Sequence, residues 1–314
     1  MRFISAAEID AALSFPALID AIADAFRAEI NVPVRHHHTI EHEGATLLLM
    51  PAWTGSGKEN FLGTKIVTVF PRNATRGIPS VTGTYLLMSG ETGEPLVVFE
   101  GRALTLWRTA AASALASKFL SRPDASRLLI VGAGALSAYL VRSHFTIRPI
   151  QEVLIWNRTF ARAEMLSAKL RKEKIESRAV EDLETAARGA DIISCATLSF
   201  EPLLQGQWLK PGAHVDLVGG FKPTMREVDD ETIRRSKVYV DTRGGALKEA
   251  GDIVDPIRRG ILREQDIRGD LFDLCRDRVK GRISTDEITL FKSVGSAIED
   301  LAAARLIWRK LGAS

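Results

Sequence analysis

Hydrophobic and polar positions follow three different rhythms along this chain. In ALIDAIADAFRAEI, residues 17–30, apolar residues recur at helical spacing and predict one face laid on a core. Just upstream, Ser5 and Glu8 in SAAEID stand at capping-box spacing, marking an earlier helix start. Between residues 45 and 100 the rhythm shortens. ATLLLMP, FLGTKIVTVFP, SVTGTYLLMS and GEPLVVFEG are apolar or β-branched runs cut by Gly and Pro, with SGETGEP as a hairpin turn. They predict an antiparallel sheet. ALTLWRTAAASALASKFL, residues 103–120, then reads as an Ala-rich helix with close neighbours.

From Leu128 onwards strands and helices alternate. The strands are RLLIVGAG, EVLIWN, DIISCAT, HVDLVGG and KVYVDT, with RAEMLSAKLRKE and LETAARGA among the intervening helices. This alternation predicts parallel βαβ units. The end, LFKSVGSAIEDLAAARLIWRKLG, reads as one amphipathic helix from Leu290, capped at Gly312. The fold class is therefore α/β: a doubly wound parallel sheet plus an α+β part. The expected boundaries are 1–117 with 291–314 for the α+β part and 118–290 for the parallel-sheet part.

Composition narrows the class of function. The 314 residues carry 42 basic and 39 acidic side chains, formally +3, too even to imply a nucleic-acid or membrane surface. The two cysteines, Cys195 and Cys275, lack C-x-x-C spacing and fit reduced thiols. With no apolar signal core and no long apolar run, a soluble cytoplasmic protein is expected.

The glycine loop carries the first chemistry. Gly132 and Gly134 follow an apolar strand and precede a helix, with Ser137 where a third Gly or Ala would stand. Backbone from Gly132 and Gly134 to Ala135 and Leu136 is expected to cradle a pyrophosphate at a helix N-terminus. The next strand ends in Asn157, Arg158 and Thr159, with no carboxylate for a ribose 2′-hydroxyl. Arg158 and Thr159 suit a 2′-phosphate, so NADP(H) is expected, with NADPH preferred over NADH. Val218 and Gly219 at one strand end, and Val294 and Gly295 near a helix start, complete the expected cofactor set. Glu249 and Asp252 read as a solvated loop.

Three cations stand in apolar settings: Arg35, Lys65 and Arg108. Burial without an anion would be costly for each. The anion is either a substrate carboxylate or a separate protein acid for each cation; the residues alone leave both open. His36, His37, His38 and His42 invite a metal reading, but adjacent strand residues point to opposite faces, so no metal site is expected.

LLLMPAW, GTKIVTVFPRN, LWRTAAASALASKFL, LLIVGAG, IWNRT, GAHVDLVGG and LFKSVGSAIEDL, in this order, resemble the ornithine cyclodeaminase/μ-crystallin family. The resemblance spans nearly the whole chain. It implies a homodimer whose Rossmann domain is inserted between an N-terminal substrate region and a returning C-terminal helix. It also implies that Arg35, Lys65 and Arg108 hold a substrate carboxylate. Cyclodeaminase members carry an Asp directly after the Gly-Gly pair and a Glu two residues before Met-Pro. Here Phe221 and Leu48 stand at those positions. The pattern VGGFKPTMREVDDE with WNRT is similar to the ketimine-reductase branch. The implied reaction is NADPH-dependent reduction of a small cyclic imino acid, Δ1-pyrroline-2-carboxylate or Δ1-piperideine-2-carboxylate. Lys65 would relay a proton and Phe221 would pack on the ring. Rival expectations are a cyclodeaminase, an NAD-dependent amino-acid dehydrogenase, or a non-catalytic NADP(H)-binding protein.

Overall fold

The computed structural model describes residues 1–41, 44–55 and 60–311. His42 and Gly312 lie outside the described residues. The chain divides into two compact units, 1–109 with 296–314, and 110–295.

The first unit opens with β1 (Arg2–Ile4) and α1 (Ala6–Ala12), where Ser5 and Glu8 form the reciprocal capping box. It continues through α2 (Phe15–Arg27), β2 (Ile30–Asn31), β3 (His36–Ile40), β4 (Ala45–Thr54), β5 (Phe61–Val69), β6 (Val81–Ser89) and β7 (Pro95–Glu100). The strands form a seven-stranded sheet in the order β1-β7-β6-β5-β4-β2, with β3 also on β4. The β4 to β7 pairs are antiparallel, as the short apolar runs predict. Gly93, with φ of 75°, turns the β6–β7 hairpin. One sheet face carries Met50, Lys65, Tyr85 and Phe99, all buried, with α11 (Ala297–Leu311) packed on β4 and β5. The opposite face carries Leu49, Leu62, Ile66, Leu86 and Val98, half-buried or exposed. β3 lays His36, His37 and His38 on the surface.

A long helix, α3 (Gly101–Leu120), starts where Glu100 accepts from the N–H groups of Arg102 and Ala103. Its alanines are buried on most sides, which small side chains permit. The unit boundary falls inside this helix, earlier than the expected residue 117. The helix's final carbonyls are taken by arginines: Arg148 binds those of Ser117, Lys118 and Ser121, and Arg282 that of Leu120.

In the second unit, β8 (Arg127–Val131), α4 (Ser137–Ile147), β9 (Glu152–Trp156), α5 (Phe160–Lys172), β10 (Ser177–Val180), α6 (Leu183–Gly189), β11 (Ile192–Cys195) and β12 (His214–Leu217) alternate as expected. Then come α7 (Asp230–Arg235), β13 (Ser236–Val240), α8 (Arg243–Glu249), α9 (Gly251–Arg258), β14 (Gly269–Asp270), α10 (Leu271–Cys275) and β15 (Ile288–Lys292). The eight strands are all parallel, in the order β10-β9-β8-β11-β12-β15-β13-β14. Among the described residues, no helix is long and apolar enough to cross a membrane.

β15 corrects the reading of the chain's end. Leu290, Phe291 and Lys292 are a buried central strand between β12 and β13, and the helix begins only at Ala297. Apolar residues on both faces of a central parallel strand run into the helical pattern without a change of texture. The break is Gly295, whose φ of 81° admits few other residues. The second unit accordingly extends past 290 to 295.

His144, His214 and Asp216 form a polar knot inside this unit. Ser113 and Ser194 donate to Asp216, and His144 Nε2 lies 4.0 Å from it. Burial pushes both histidines below their ordinary value of 6.5, His214 strongly. The unfolded chain therefore binds more protons than the native one below that value, and stability falls as pH drops through it. We expect chemical unfolding midpoints to decline between pH 7 and 5. A His144→Gln/His214→Gln double variant should show a shallower decline; an equally steep one would contradict this assignment.

Candidate active site

Strand order reverses between β8 and β11, because β9 lies on one side of β8 and β11 on the other. In open α/β sheets such a reversal leaves a crevice at the carboxyl strand ends. Gly132 follows β8 there, with φ of 108°, and a Cβ on it would stand 2.8 Å from the Ala196 carbonyl after β11. The protein itself requires that glycine. Gly134 is different: a Cβ there would meet nothing within 4 Å. An open glycine beside the start of α4 is what a close phosphate approach calls for. Leu136 is the N-cap of α4 and Ala135 precedes it. Ser137, in the third position of the motif, donates to the Gly132 carbonyl and accepts from Gly134 N–H, so it braces the loop from within.

The end of β9 divides its labour. Asn157 works inside the protein: its Oδ1 accepts from Ala133 N–H at 3.1 Å and its Nδ2 donates to the Thr159 carbonyl at 2.9 Å. It shapes the glycine loop. Arg158 and Thr159 are exposed beside it, and Thr159 is the N-cap of α5 without a side-chain cap bond. These residues suit a nicotinamide dinucleotide, with the glycine loop and α4 for the pyrophosphate and Arg158 and Thr159 for the adenosine side.

Two other strand ends depart from expectation. Gly219 reads as room for a nicotinamide, yet a Cβ there would collide with the Thr197 backbone, so internal packing already demands glycine. Val218 donates to the Cys195 carbonyl, and Phe221 is half-buried just beyond. Val294 and Gly295 precede α11 rather than open it. Their N–H groups donate to Asp241 Oδ2, each at 2.7 Å, so these amides are engaged within the protein. Glu249 and Asp252, expected in a solvated loop, are both buried.

The cation set lies in the first unit. Lys65 is 2% exposed and Arg108 5%, so both need partners. α11 supplies them. Lys65 Nζ lies 2.9 Å from Asp300 Oδ1, and Arg108 Nε lies 3.1 Å from the same oxygen. Arg108 Nη1 also reaches Glu299 at 2.6 Å, and Thr105 Oγ1 accepts from Lys65 at 3.3 Å. Of the two alternatives left open by the residues, protein acids are thus present for Lys65 and Arg108, although one Asp serves both. Burial lowers the Lys65 ammonium to about 8, helped by the positive charges of Arg108 and then Arg35. Arg35, half-buried before β3, therefore belongs to the same electrostatic group. Glu299 and Asp300 escaped the sequence reading. Their only signal was an acidic pair inside an otherwise apolar helical run.

The chain is similar along its whole length to known proteins. The family profile described as "Ornithine cyclodeaminase/mu-crystallin family" matches residues 1–314. The chain is 36% identical to the Δ1-pyrroline-2-carboxylate reductase of Colwellia psychrerythraea, over 99% of each chain. It is 36% identical to ketimine reductase mu-crystallin of Rattus norvegicus, over 98% of this chain and 96% of that one. Among solved structures, Thermococcus litoralis Δ1-pyrroline-2-carboxylate reductase, in complex with NADH and L-proline, superposes with a TM-score of 0.94. That pair is 34% identical, covering 99% of this chain and 97% of the other. The protein belongs to the ornithine cyclodeaminase/mu-crystallin family.

Proposed function

We propose that this protein reduces cyclic ketimine carboxylates with NADPH, converting Δ1-pyrroline-2-carboxylate to proline or Δ1-piperideine-2-carboxylate to pipecolate. It is an oxidoreductase that uses a nicotinamide cofactor, which supplies the hydride. The observation that carries the reading is the convergence of Lys65, Arg108 and Arg35 on one electrostatic group. Arginine there would clamp the substrate carboxylate through paired N–H groups. Hydride adds to the C=N carbon, and the ring nitrogen ends with one more proton. Lys65, with its ammonium near 8, is suited to relay that proton at neutral pH. No carboxylate follows the Gly219-Gly220 turn, where Phe221 stands, and Leu48 occupies the other cyclodeaminase position. Both departures argue against ornithine deamination.

The coenzyme preference rests on Arg158 and Thr159, exposed at the end of β9 with no acid at the strand end. We expect faster loss of nicotinamide absorbance with NADPH than NADH for either imine. Arg158→Ala should narrow that preference roughly tenfold, the effect of losing one charge-assisted hydrogen bond. Ornithine with NAD⁺ should release no ammonia. Failure to oxidise either coenzyme with both imines would end the reductase reading.

Lys65 gives a second test. If its ammonium relays the proton, kcat/KM for the imine should fall as pH rises through about 8, because the group is then deprotonated. In Lys65→Arg the cation persists, so that limb should vanish at lower overall activity. A limb unchanged in Lys65→Arg would assign it to the substrate instead.

We also place the protein in a homodimer. The support is the apolar outer face of the first unit's sheet, with Leu49, Leu62, Ile66 and Leu86 incompletely covered. Light scattering should give twice the chain mass of 34.4 kDa. Leu86→Glu should shift it toward the monomer; a monomeric wild type would exclude this role for the face.

A further inference from the structure

Lys292 ends β15 with its side chain fully buried and its Nζ without a hydrogen-bond partner. It stands 3.4 Å from Asp252 Oδ2 and 3.8 Å from Glu227 Oε2. Glu227, also fully buried, joins two loops. Its Oε1 accepts from the N–H and hydroxyl of Thr197, at 2.7 and 2.8 Å, after β11. Its Oε2 accepts from the N–H groups of Gly219 and Gly220, at 2.8 and 3.3 Å, after β12. Asp252 in α9 in turn accepts from the N–H groups of Glu227 and Val228, at 2.8 and 3.2 Å.

This arrangement leaves no slack. A Cβ on Gly219 would strike the Thr197 backbone, and one on Gly220 would stand 3.4 Å from Lys292 Nζ. Both loops lie on the carboxyl edge of the sheet, next to the reversal of strand order. We propose that Glu227 is a positioning residue for the bound dinucleotide, clasping the ends of β11 and β12, and that Lys292 is the counter-charge that lets it do so beside Asp252. The proposal rests on the nicotinamide-dependent reading above and goes beyond it.

The charge arithmetic is local. Two carboxylates face one ammonium. Cys195 on β11 and Asp216 on β12 also bear on this group electrostatically. Arg226 Nε lies 3.7 Å from Asp252 Oδ1 but is shared with Asp230 and Asp255. Burial, with the neighbouring Asp252 charge, raises the Glu227 carboxyl, and the Lys292 ammonium opposes that shift. Without Lys292, two carboxylates would share a dry site, and Glu227 would take up a proton more readily than in the wild type. A protonated Glu227 cannot accept from all its backbone donors at once.

The experiment is a fluorescence titration with NADH between pH 6 and 9, because a 2′-phosphate would itself titrate in that range. Wild type should bind with a nearly constant Kd. Glu227→Gln should bind at least about tenfold more weakly at every pH, since its NH2 must face backbone N–H groups on one side. Lys292→Met should gain a new weakening as pH falls. Lys292→Met/Asp252→Asn should lose that acid limb, because Asn retains the Oδ1 acceptor and removes the second charge. A merely structural role would weaken binding without a pH limb and without rescue. Wild-type-like binding by Glu227→Gln, or an unrescued and pH-independent loss in Lys292→Met, would overturn the clasp. Imine turnover is read separately: a wild type that binds NADH but reduces no imine defeats the substrate reading and leaves the clasp standing.

Discussion

An ionised side chain taken out of water costs several kcal/mol unless opposite charge and hydrogen bonds replace its hydration. This constraint is met twice, once in each unit. In the first, Asp300 shares one oxygen between Lys65 and Arg108 while Glu299 takes Arg108's other side. In the second, Glu227 and Asp252 flank Lys292. In both places the cation ends a long reach across the chain: Lys65 and Asp300 are 235 residues apart in sequence. Hydrophobic burial alone does not specify such pairings. They fix which helix returns to which sheet, because a misplaced α11 would leave two buried cations without partners.

Satisfied charge also determines what each cluster can do. Burial and two arginines lower the Lys65 ammonium to about 8. Asp300 keeps it charged enough to remain buried, while the arginines lower the cost of releasing the proton. Lys292 stands in a different setting. Its Nζ forms no hydrogen bond, with Asp252 and Glu227 at 3.4 and 3.8 Å, while Glu227 Oε2 and Asp252 Oδ1 accept from backbone N–H groups. One cluster pairs two cations with two acids, the other sets one cation between two acids.

The parts of this design that were legible in the sequence are those with local causes. The capping box at Ser5, the hairpin at Gly93 and the glycine loop after β8 each need only neighbouring residues, and each stands where the pattern predicts. The alternation of strand and helix from Leu128 was equally local. β15 was not legible, because a central strand buried on both faces and followed closely by a helix has no periodicity of its own. At the Gly-Gly pair after β12, the tertiary contact was not legible: the Thr197 backbone closes the space at Gly219. Glu299, Asp300, Glu227 and Asp252 were invisible as a class. An acid near a helix start ordinarily faces solvent and favours the helix dipole, and only tertiary contacts bury these.

The same contrast separates the two glycines of the nucleotide loop. Gly132 is held by the protein's own packing, so its presence says little about ligands. Gly134 has open space where a side chain would be. A position that tolerates a Cβ sterically but carries none makes room for something outside the folded chain. Beside a helix start, with Ser137 bracing the turn and Asn157 holding Ala133, such an opening suits an anion approaching the backbone. The proposed cofactor would use the space the fold leaves open at Gly134, and the proposed Glu227 clasp joins the neighbouring ends of β11 and β12.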